Sequence, residues 1–231
     1  MPTALPAPED KAIAVRRMFD QIAPGYDRMN RILTGRMDQR WRKRLIQRLA
    51  VFDDDRLLDL ACGTGDFAAM ALLRTPDVIG VDFARVMLER AQQRLPGLPL
   101  VQADALRLPL ADESITVAVS GFALRNFVAI PPVLAELARV MKPGGRLGLL
   151  EVDRPANPVV RWGHAFYFGR VVPLVGGLLS DSHAYRYLPE SAAYLPPQKE
   201  LVAMLQAAGF HHIRKESPML GAIQAVTAER K

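Results

Sequence analysis

One cysteine, Cys62, occurs in 231 residues, so no disulfide can form within the chain, and a reducing compartment, the cytoplasm, is expected. Long apolar runs are missing as well. The longest, residues 171–179, is interrupted by Pro173, Gly176 and Gly177, well short of the roughly 20 apolar residues a membrane-spanning helix needs. Residues 1–10 are rich in Pro and Ala, carry two acids and contain no apolar core, so no secretory signal is expected. Histidine is scarce, at four residues, and no Cys/His/Asp set has the spacing of metal ligands. No metal is therefore expected. Internal repeats are absent, and the only biased tract is the Pro-bearing start. Half of the residues are hydrophobic and 23% are charged, a composition suited to a single globular domain spanning residues 1–231.

The net charge is +6, and much of it falls in residues 36–48. There Arg36, Arg40, Arg42, Lys43, Arg44 and Arg48 face one acid, Asp38. Such a stretch suits a solvated helix face, nucleic acid or an anionic membrane surface. Trp41 in its midst favours the membrane over nucleic acid, because an interfacial aromatic among basic groups matches lipid headgroups. The other aromatics lie in an apolar segment rather than between basic residues, so no nucleic-acid partner is expected.

From Arg56 onward, strand-like apolar runs alternate with helical patterns. Strands are expected at residues 57–60, 78–83, 98–102, 115–120, 146–152, 213–217 and 222–227, with a turn at 218–221. Ile130, Val133, Leu134, Leu137, Ala138 and Met141 share one face of a helix, with Pro131 and Pro132 in its first turn. Gly144 and Gly145 are expected to close that helix after Pro143. A last helix carries Leu201, Met204, Leu205 and Ala208 and stops at Gly209. Strands separated by crossover helices pair in parallel. The expected architecture is α/β and Rossmann-like, a seven-stranded, mostly parallel sheet in residues 56–231 under an N-terminal helical cap in residues 1–55. An apolar insertion at about 155–195 is expected over the substrate pocket.

The segment Asp59-Leu60-Ala61-Cys62-Gly63-Thr64-Gly65-Asp66 ends a strand on an acid and enters a helix through a glycine-bracketed turn. Gly63 and Gly65 permit positive φ and a close ligand approach, at the strand ends where open α/β sheets bind ligands. Cys62 reads as packing. With Ala68 the glycines also satisfy the dinucleotide fingerprint, and Asp82, 19 residues beyond Gly63, suits the ribose hydroxyls of either cofactor. Two features favour S-adenosylmethionine (SAM). Asp104-Ala105 follows the third strand, where a carboxylate can accept from an adenine amino group, and no tyrosine is followed four positions later by lysine for hydride chemistry. Asp59, Gly63, Thr64, Gly65, Asp82, Asp104 and Ala105 are the candidate SAM-binding residues, and methyl transfer is the expected reaction.

Several stretches, of which all but the KPGG segment are narrow, resemble the C-methyltransferase family of menaquinone and ubiquinone biosynthesis almost from end to end. These are MFDQIAPGYDRMN at residues 18–30, Leu124-Arg125-Asn126, ELARVMKPGG at 136–145 and YRYLPESAAYLPPQ at 185–198. The resemblance implies a class I SAM-dependent C-methyltransferase acting on a demethylated polyprenyl quinol, with Tyr26, Arg125 and Asn126 lining the active site and water carrying protons. Arg125 would stabilise a phenolate. Val159 to Leu179 would form a lid over the prenyl tail through Trp162 and Phe166, beside a peripheral contact with the inner face of the membrane, and a homodimer is left open. Departures are Ala123 where the family has Gly, Gly121 where a small polar residue is common, Glu151-Val152-Asp153 for Glu-Phe-Ser, and no Leu-His pair in the last strand. O- or N-methylation of another small molecule, a basic nucleic-acid-binding module, and SAM binding without catalysis are the competing readings. None of the four histidines is favoured as the base; His211 and His212 read as surface residues, His164 and His183 as flanks of an apolar segment.

Overall fold

The computed structural model describes residues 10–153, 155, 157–167, 170, 187 and 191–231. Its seven strands are β1 (Arg56–Leu60), β2 (Asp77–Asp82), β3 (Leu100–Gln102), β4 (Ile115–Gly121), β5 (Met141–Val152), β6 (Phe210–Glu216) and β7 (Ile223–Arg230). They form one sheet in the order β3-β2-β1-β4-β5-β7-β6. The first five pair in parallel, and β7 runs antiparallel to both β5 and β6. The chain leaves β1 toward β2 and β3, then returns to β4 on the other side of β1. That reversal opens a crevice at the carboxyl ends of β1 and β4.

Central strands covered on both faces are apolar nearly throughout. Leu57, Leu58, Leu60, Val117, Ala118 and Val119 are all at most 1% exposed. Helices α4 (Asp66–Ala71), α5 (Arg85–Arg94), α6 (Ile130–Val140) and α8 (Gln198–Ala207) flank the sheet, and α7 (Pro158–Phe166) follows β5. The expected fold is the observed one. One boundary is corrected: Met141 is not on the α6 face, and Gly144-Gly145 do not close that helix. Met141 is extended (φ −86°, ψ 138°) and pairs with Ile115 as the start of β5. Pro143 is the reason, since its ring disfavours helical geometry in the preceding residue and it supplies no N–H. Most of the insertion expected at 155–195, including the run 171–179, His183 and Tyr185, lies outside the described residues.

The cap consists of α1 (Lys11–Ile22), α2 (Tyr26–Thr34) and α3 (Met37–Arg48). Left-handed Gly35 (φ 57°) and Arg36 (φ 63°) separate α2 from α3. Helix α3 lies so close to the sheet that a Cβ on Gly148 would meet Leu49 Cδ1 at 2.7 Å. Helix α1 arches over the strand ends. Lys11 Nζ donates to the Phe127 carbonyl (2.6 Å) and sits 3.7 Å over the Tyr194 ring, while Asp20 Oδ1 accepts the Val86 N–H (3.0 Å) at the start of α5.

The basic stretch 36–48 divides in three. Arg42 turns inward and is 5% exposed, Arg44 and Arg48 pair with Glu216, and Arg36, Arg40 and Lys43 face water. Arg42 belongs to a polar network that fastens the cap to the start of α4. Asp66 accepts from Arg31 Nη2 (2.8 Å), Arg94 Nη1 (2.7 Å) and Gln39 Nε2 (3.0 Å), and Asp38 accepts from Arg42 Nη1 (3.0 Å). Burial would raise the Asp66 carboxyl, but Arg42, Arg94 and Arg31 hold it below the usual carboxylate range. A depressed folded pKa contributes stability above the unfolded value, and that contribution is lost as pH falls through the folded one. Asp66→Asn strands several guanidinium groups, so urea unfolding at pH 7 should show a loss of about 3 kcal/mol. The gap between variant and wild type should narrow below about pH 4.

Candidate active site

Two cavities meet above the carboxyl ends of the central strands. The first, about 900 Å³ including its open mouth, is lined by Gly63 after β1, Asp82 and Phe83 at the end of β2, Asp104 to Leu106 after β3, and Gly121 to Ala123 after β4. Val15, Arg16 and Phe19 of α1 roof it. The second, about 1730 Å³ including its mouth, is bounded by Leu33, Met37 and Trp41 of the cap, Val160 and Gly163 of α7, and Met219 and Leu220 of the β6–β7 turn. Its walls are mostly apolar. Tyr26 and Phe122 line both cavities.

The glycine turn is positioned from below. Asp82 Oδ2 accepts the Gly63 N–H (2.7 Å) and Oδ1 accepts the Ala84 N–H (2.8 Å). Each carboxylate oxygen has a second acceptor site, so Asp82 retains capacity for a ligand diol. Burial raises its pKa against the pull of those N–H groups. Gly63 has φ 55°, and a Cβ there would meet nothing within 4 Å; its flank is open cavity. Asp104 is exposed at the rim, Oδ1 accepting the Leu106 N–H (2.9 Å), with Ala105 buried beside it. An acidic pair at the ends of adjacent strands, an open glycine and the apolar walls of Phe83 and Leu106 fit a nucleoside carrying a cationic sulfonium.

Three other cofactor candidates do not line this cavity. Asp59 is 1% exposed, pushed up to about 7 by burial, and accepts the Ala68 N–H (2.9 Å) to anchor α4 beneath the turn. Thr64 Oγ1 donates to Asp27 Oδ1 (2.6 Å), tying the turn to α2. At Gly65 (φ 83°) a Cβ would lie 2.9 Å from Leu95 Cδ1, so this glycine serves the packing of α4 against the end of α5. Cys62 is buried, its thiol pushed up by burial, with Sγ 3.0 Å from where a Gly80 Cβ would be.

Among the catalytic candidates, Asn126 lines the first cavity, Arg125 the second and Tyr26 both. Arg125 is buried and ion-paired with buried Glu151, and its Nε has no hydrogen-bond partner among the described residues. Asn126 donates to the Phe122 carbonyl (3.2 Å) and accepts from the Tyr187 hydroxyl (3.2 Å). Burial raises the Tyr26 phenol, with Arg42, Asn30 and Arg125 pulling against it. Burial also pushes Tyr187 up to about 12, so both phenols keep their protons near neutral pH. On α7, Val160 and Gly163 face the cavity, whereas Trp162 (73% exposed) and Phe166 (53%) stack on its outer side with ring centroids 6.0 Å apart.

Phe122, Glu151 and Tyr187 escaped the reading of the sequence as site residues. Phe122 carries a signal only the backbone reveals: φ is +59°, a strained value for a bulky residue of the kind that collects at functional sites. Its N–H is held by the Leu150 carbonyl at 2.6 Å.

Asp82→Asn should weaken SAM binding about tenfold or more in calorimetry, since bonds to a charged acceptor are worth about 1.5–3 kcal/mol. Thr64→Val, which removes a latch and no lining group, should leave that affinity within about threefold while lowering thermal stability by about 1 kcal/mol.

A likeness in fold is seen with a SAM-dependent methyltransferase of Thermotoga maritima (TM-score 0.66, 20% identity, 94% of this chain and 100% of that one). The [4+2]-cyclase SpnF superposes similarly (TM-score 0.67, 17% identity, 100% of this chain and 98% of that one). At such identities these likenesses speak for the fold alone. Sequence relatives are nearer. The demethylmenaquinone methyltransferase of Roseiflexus sp. (strain RS-1) is 42% identical over 95% of this chain and 94% of its own length. The ubiquinone/menaquinone biosynthesis C-methyltransferase UbiE of Syntrophotalea carbinolica is 42% identical over 86% of each. The model of the ubiE/COQ5 methyltransferase family matches residues 7–230. With that match spanning nearly the whole chain, and a crevice whose acids and open glycine fit SAM, this protein belongs to the ubiE/COQ5 family of SAM-dependent methyltransferases.

Proposed function

We propose that the protein methylates a ring carbon of a demethylated polyprenyl quinol, converting a demethylmenaquinol to a menaquinol or acting on the equivalent quinol of the ubiquinone pathway. One observation carries the reading: the cofactor crevice and a larger apolar cavity share Tyr26 and Phe122 as walls. A polar ring with a long hydrocarbon tail matches a cavity that is apolar except where Tyr26, Asn30, Arg42 and Arg125 reach it. The names of the Roseiflexus and Syntrophotalea relatives point to the same substrate class.

Bound SAM supplies an electrophilic methyl group, so the chain's own part is positioning and electrostatics. Gly63, Asp82, Asp104 and Ala105 hold the donor. Asp59, Thr64 and Gly65 set the turn that makes this possible. The Nε of Arg125, unpartnered among the described residues, offers a donor to a quinol oxygen and favours its anionic form, which delocalises charge onto the ring carbon. Glu151 neutralises the rest of that guanidinium and keeps it in place. Tyr26 closes the wall between donor and acceptor as a neutral hydrogen-bonding group, and Tyr187 fixes the orientation of Asn126. Neither phenol ionises near neutral pH, so neither takes the ring proton, and in this reading water carries it away.

No described helix is long and apolar enough to cross a membrane. The reading therefore includes peripheral docking. Val159, Trp162 and Phe166 of α7, together with Met219 and Leu220, present exposed apolar surface around the mouth of the second cavity. Exposed Arg36, Arg40 and Lys43 lie on the neighbouring cap. Apolar side chains flanked by basic ones suit an anionic leaflet, from which a prenyl tail could enter directly.

Incubation with methyl-labelled SAM and a panel of demethylated quinols, reduced and oxidised, tests the substrate. Label should appear on a ring carbon of reduced quinols alone; label on oxygen or nitrogen would sink the reading. Tyr187→Phe should lower kcat about three- to tenfold with SAM affinity unchanged. Trp162→Ser combined with Phe166→Ser should slow turnover of long-chain quinols in anionic vesicles and spare short-chain analogues in solution. Equal loss on both would remove the docking surface from the account.

A further inference from the structure

His211 and His212 are adjacent in β6, and adjacent residues of a regular strand point to opposite faces of the sheet. Here they do not. The pairing of β6 with β7 slips between His211 and Arg214, and His212 takes φ +48°, a left-handed conformation uncommon outside glycine. The bulge brings both rings to one side, their centroids 4.1 Å apart, beside Glu229 of β7.

Three ligand-type groups converge there. His212 Nδ1 is 2.9 Å from Glu229 Oε2, and His211 Nε2 is 4.0 Å from the same oxygen. One potential ligand atom from each residue lies within 4.8 Å of the others. His211 Nδ1 is 3.0 Å from the Glu229 backbone carbonyl. A carbonyl only accepts, so Nδ1 carries the proton of the neutral ring and the Nε2 lone pair is left facing the carboxylate. Metal-bound histidines are oriented by this kind of outer hydrogen bond. Ligands about 2.0–2.2 Å from a shared tetrahedral cation stand roughly 3.3–3.6 Å from one another, a spacing that small rotations of these partly exposed side chains reach. Arg214 opposes a cation through its own attraction for Glu229, which limits affinity without occupying a ligand position.

Spacing along the sequence gives no reason to expect a metal, but the fold brings these three groups together, and we propose that His211, His212 and Glu229 bind one divalent transition cation, with water completing its coordination. Two imidazoles and a carboxylate favour zinc, nickel or copper over magnesium. The site is remote from the reaction. It lies at the end of the β6–β7 pair opposite the turn whose Met219 and Leu220 line the apolar cavity. Its effect is to tie the edge strand β6 to β7, so occupancy raises thermal stability and leaves methyl transfer unchanged.

The test is calorimetric titration of the full, tag-free chain with zinc, nickel and magnesium chlorides, alongside thermal melts. Zinc and nickel should each bind at one equivalent, magnesium should give no heat, and zinc should raise Tm. His211→Ala and Glu229→Gln should each weaken zinc binding tenfold or more and abolish the Tm shift, with SAM binding retained as evidence of folding. Absence of a saturable one-equivalent zinc isotherm would overturn the site, as would zinc binding of unchanged affinity in the folded His211→Ala/His212→Ala double variant.

Discussion

A buried carboxylate at the start of α4, Asp66, joins two parts of the chain that the sheet alone would leave apart. The described residues of the cap contribute no strand, so they gain nothing from the ladder hydrogen bonds that organise residues beyond Arg56. What fastens its polar side is charge. Arg31 and Gln39 from the cap, and Arg94 from α5, all donate to Asp66, while Asp38 secures Arg42 within the cap. Removing such charges from water is costly unless they are closely paired. The network therefore works as a unit, and it fixes where Tyr26, on the helix that carries Arg31, stands over the strand ends.

The two cavities follow from that placement. In the first, strand reversal opens the crevice, Asp82 grips the glycine turn, the segments after β3 and β4 add walls, and α1 and Tyr26 of the cap cover it. The second exists because α2 and α3, α7 and the β6–β7 turn stand around a region no single element fills. Phe122 lies between them at a backbone angle that costs on the order of 1–3 kcal/mol. The strand hydrogen bond from its N–H to Leu150 helps to hold it there. A division of labour results: the strand ends wall the first cavity, and the cap, α7 and the β6–β7 turn wall the second.

Inside this frame the charges are largely cancelled. Arg125 meets Glu151, and Arg42 meets Asp38. A site that must admit a hydrocarbon tail has reason to keep its cations paired, because a free guanidinium in an apolar cavity would hold water. The residual polarity is directional: one N–H of Arg125 that has no partner among the described residues, the phenols of Tyr26 and Tyr187, and the Asn126 amide between Tyr187 and the Phe122 carbonyl. Orientation, rather than a strong base, is what such groups supply.

Much of this was legible in the residues. Continuous apolar runs at β1 and β4 announced buried parallel strands, and the Asp59–Asp66 turn with Asp82 located the crevice, because strand period and positive-φ glycines are local properties. Pro143 is in the sequence too, yet the local pattern points to Gly144 and Gly145 as the helix end, and only strand pairing shows that β5 starts at Met141. Other features were decided only by the tertiary fold. Nothing local distinguishes Gly63, open to the cavity, from Gly65, pressed against Leu95, or reveals that Trp162 faces outward. The pairing of Arg125 with Glu151 and the convergence of His211 and His212 on Glu229 join residues from different strands or loops. Such contacts depend on register and bulge geometry, which the strands settle only by pairing with each other.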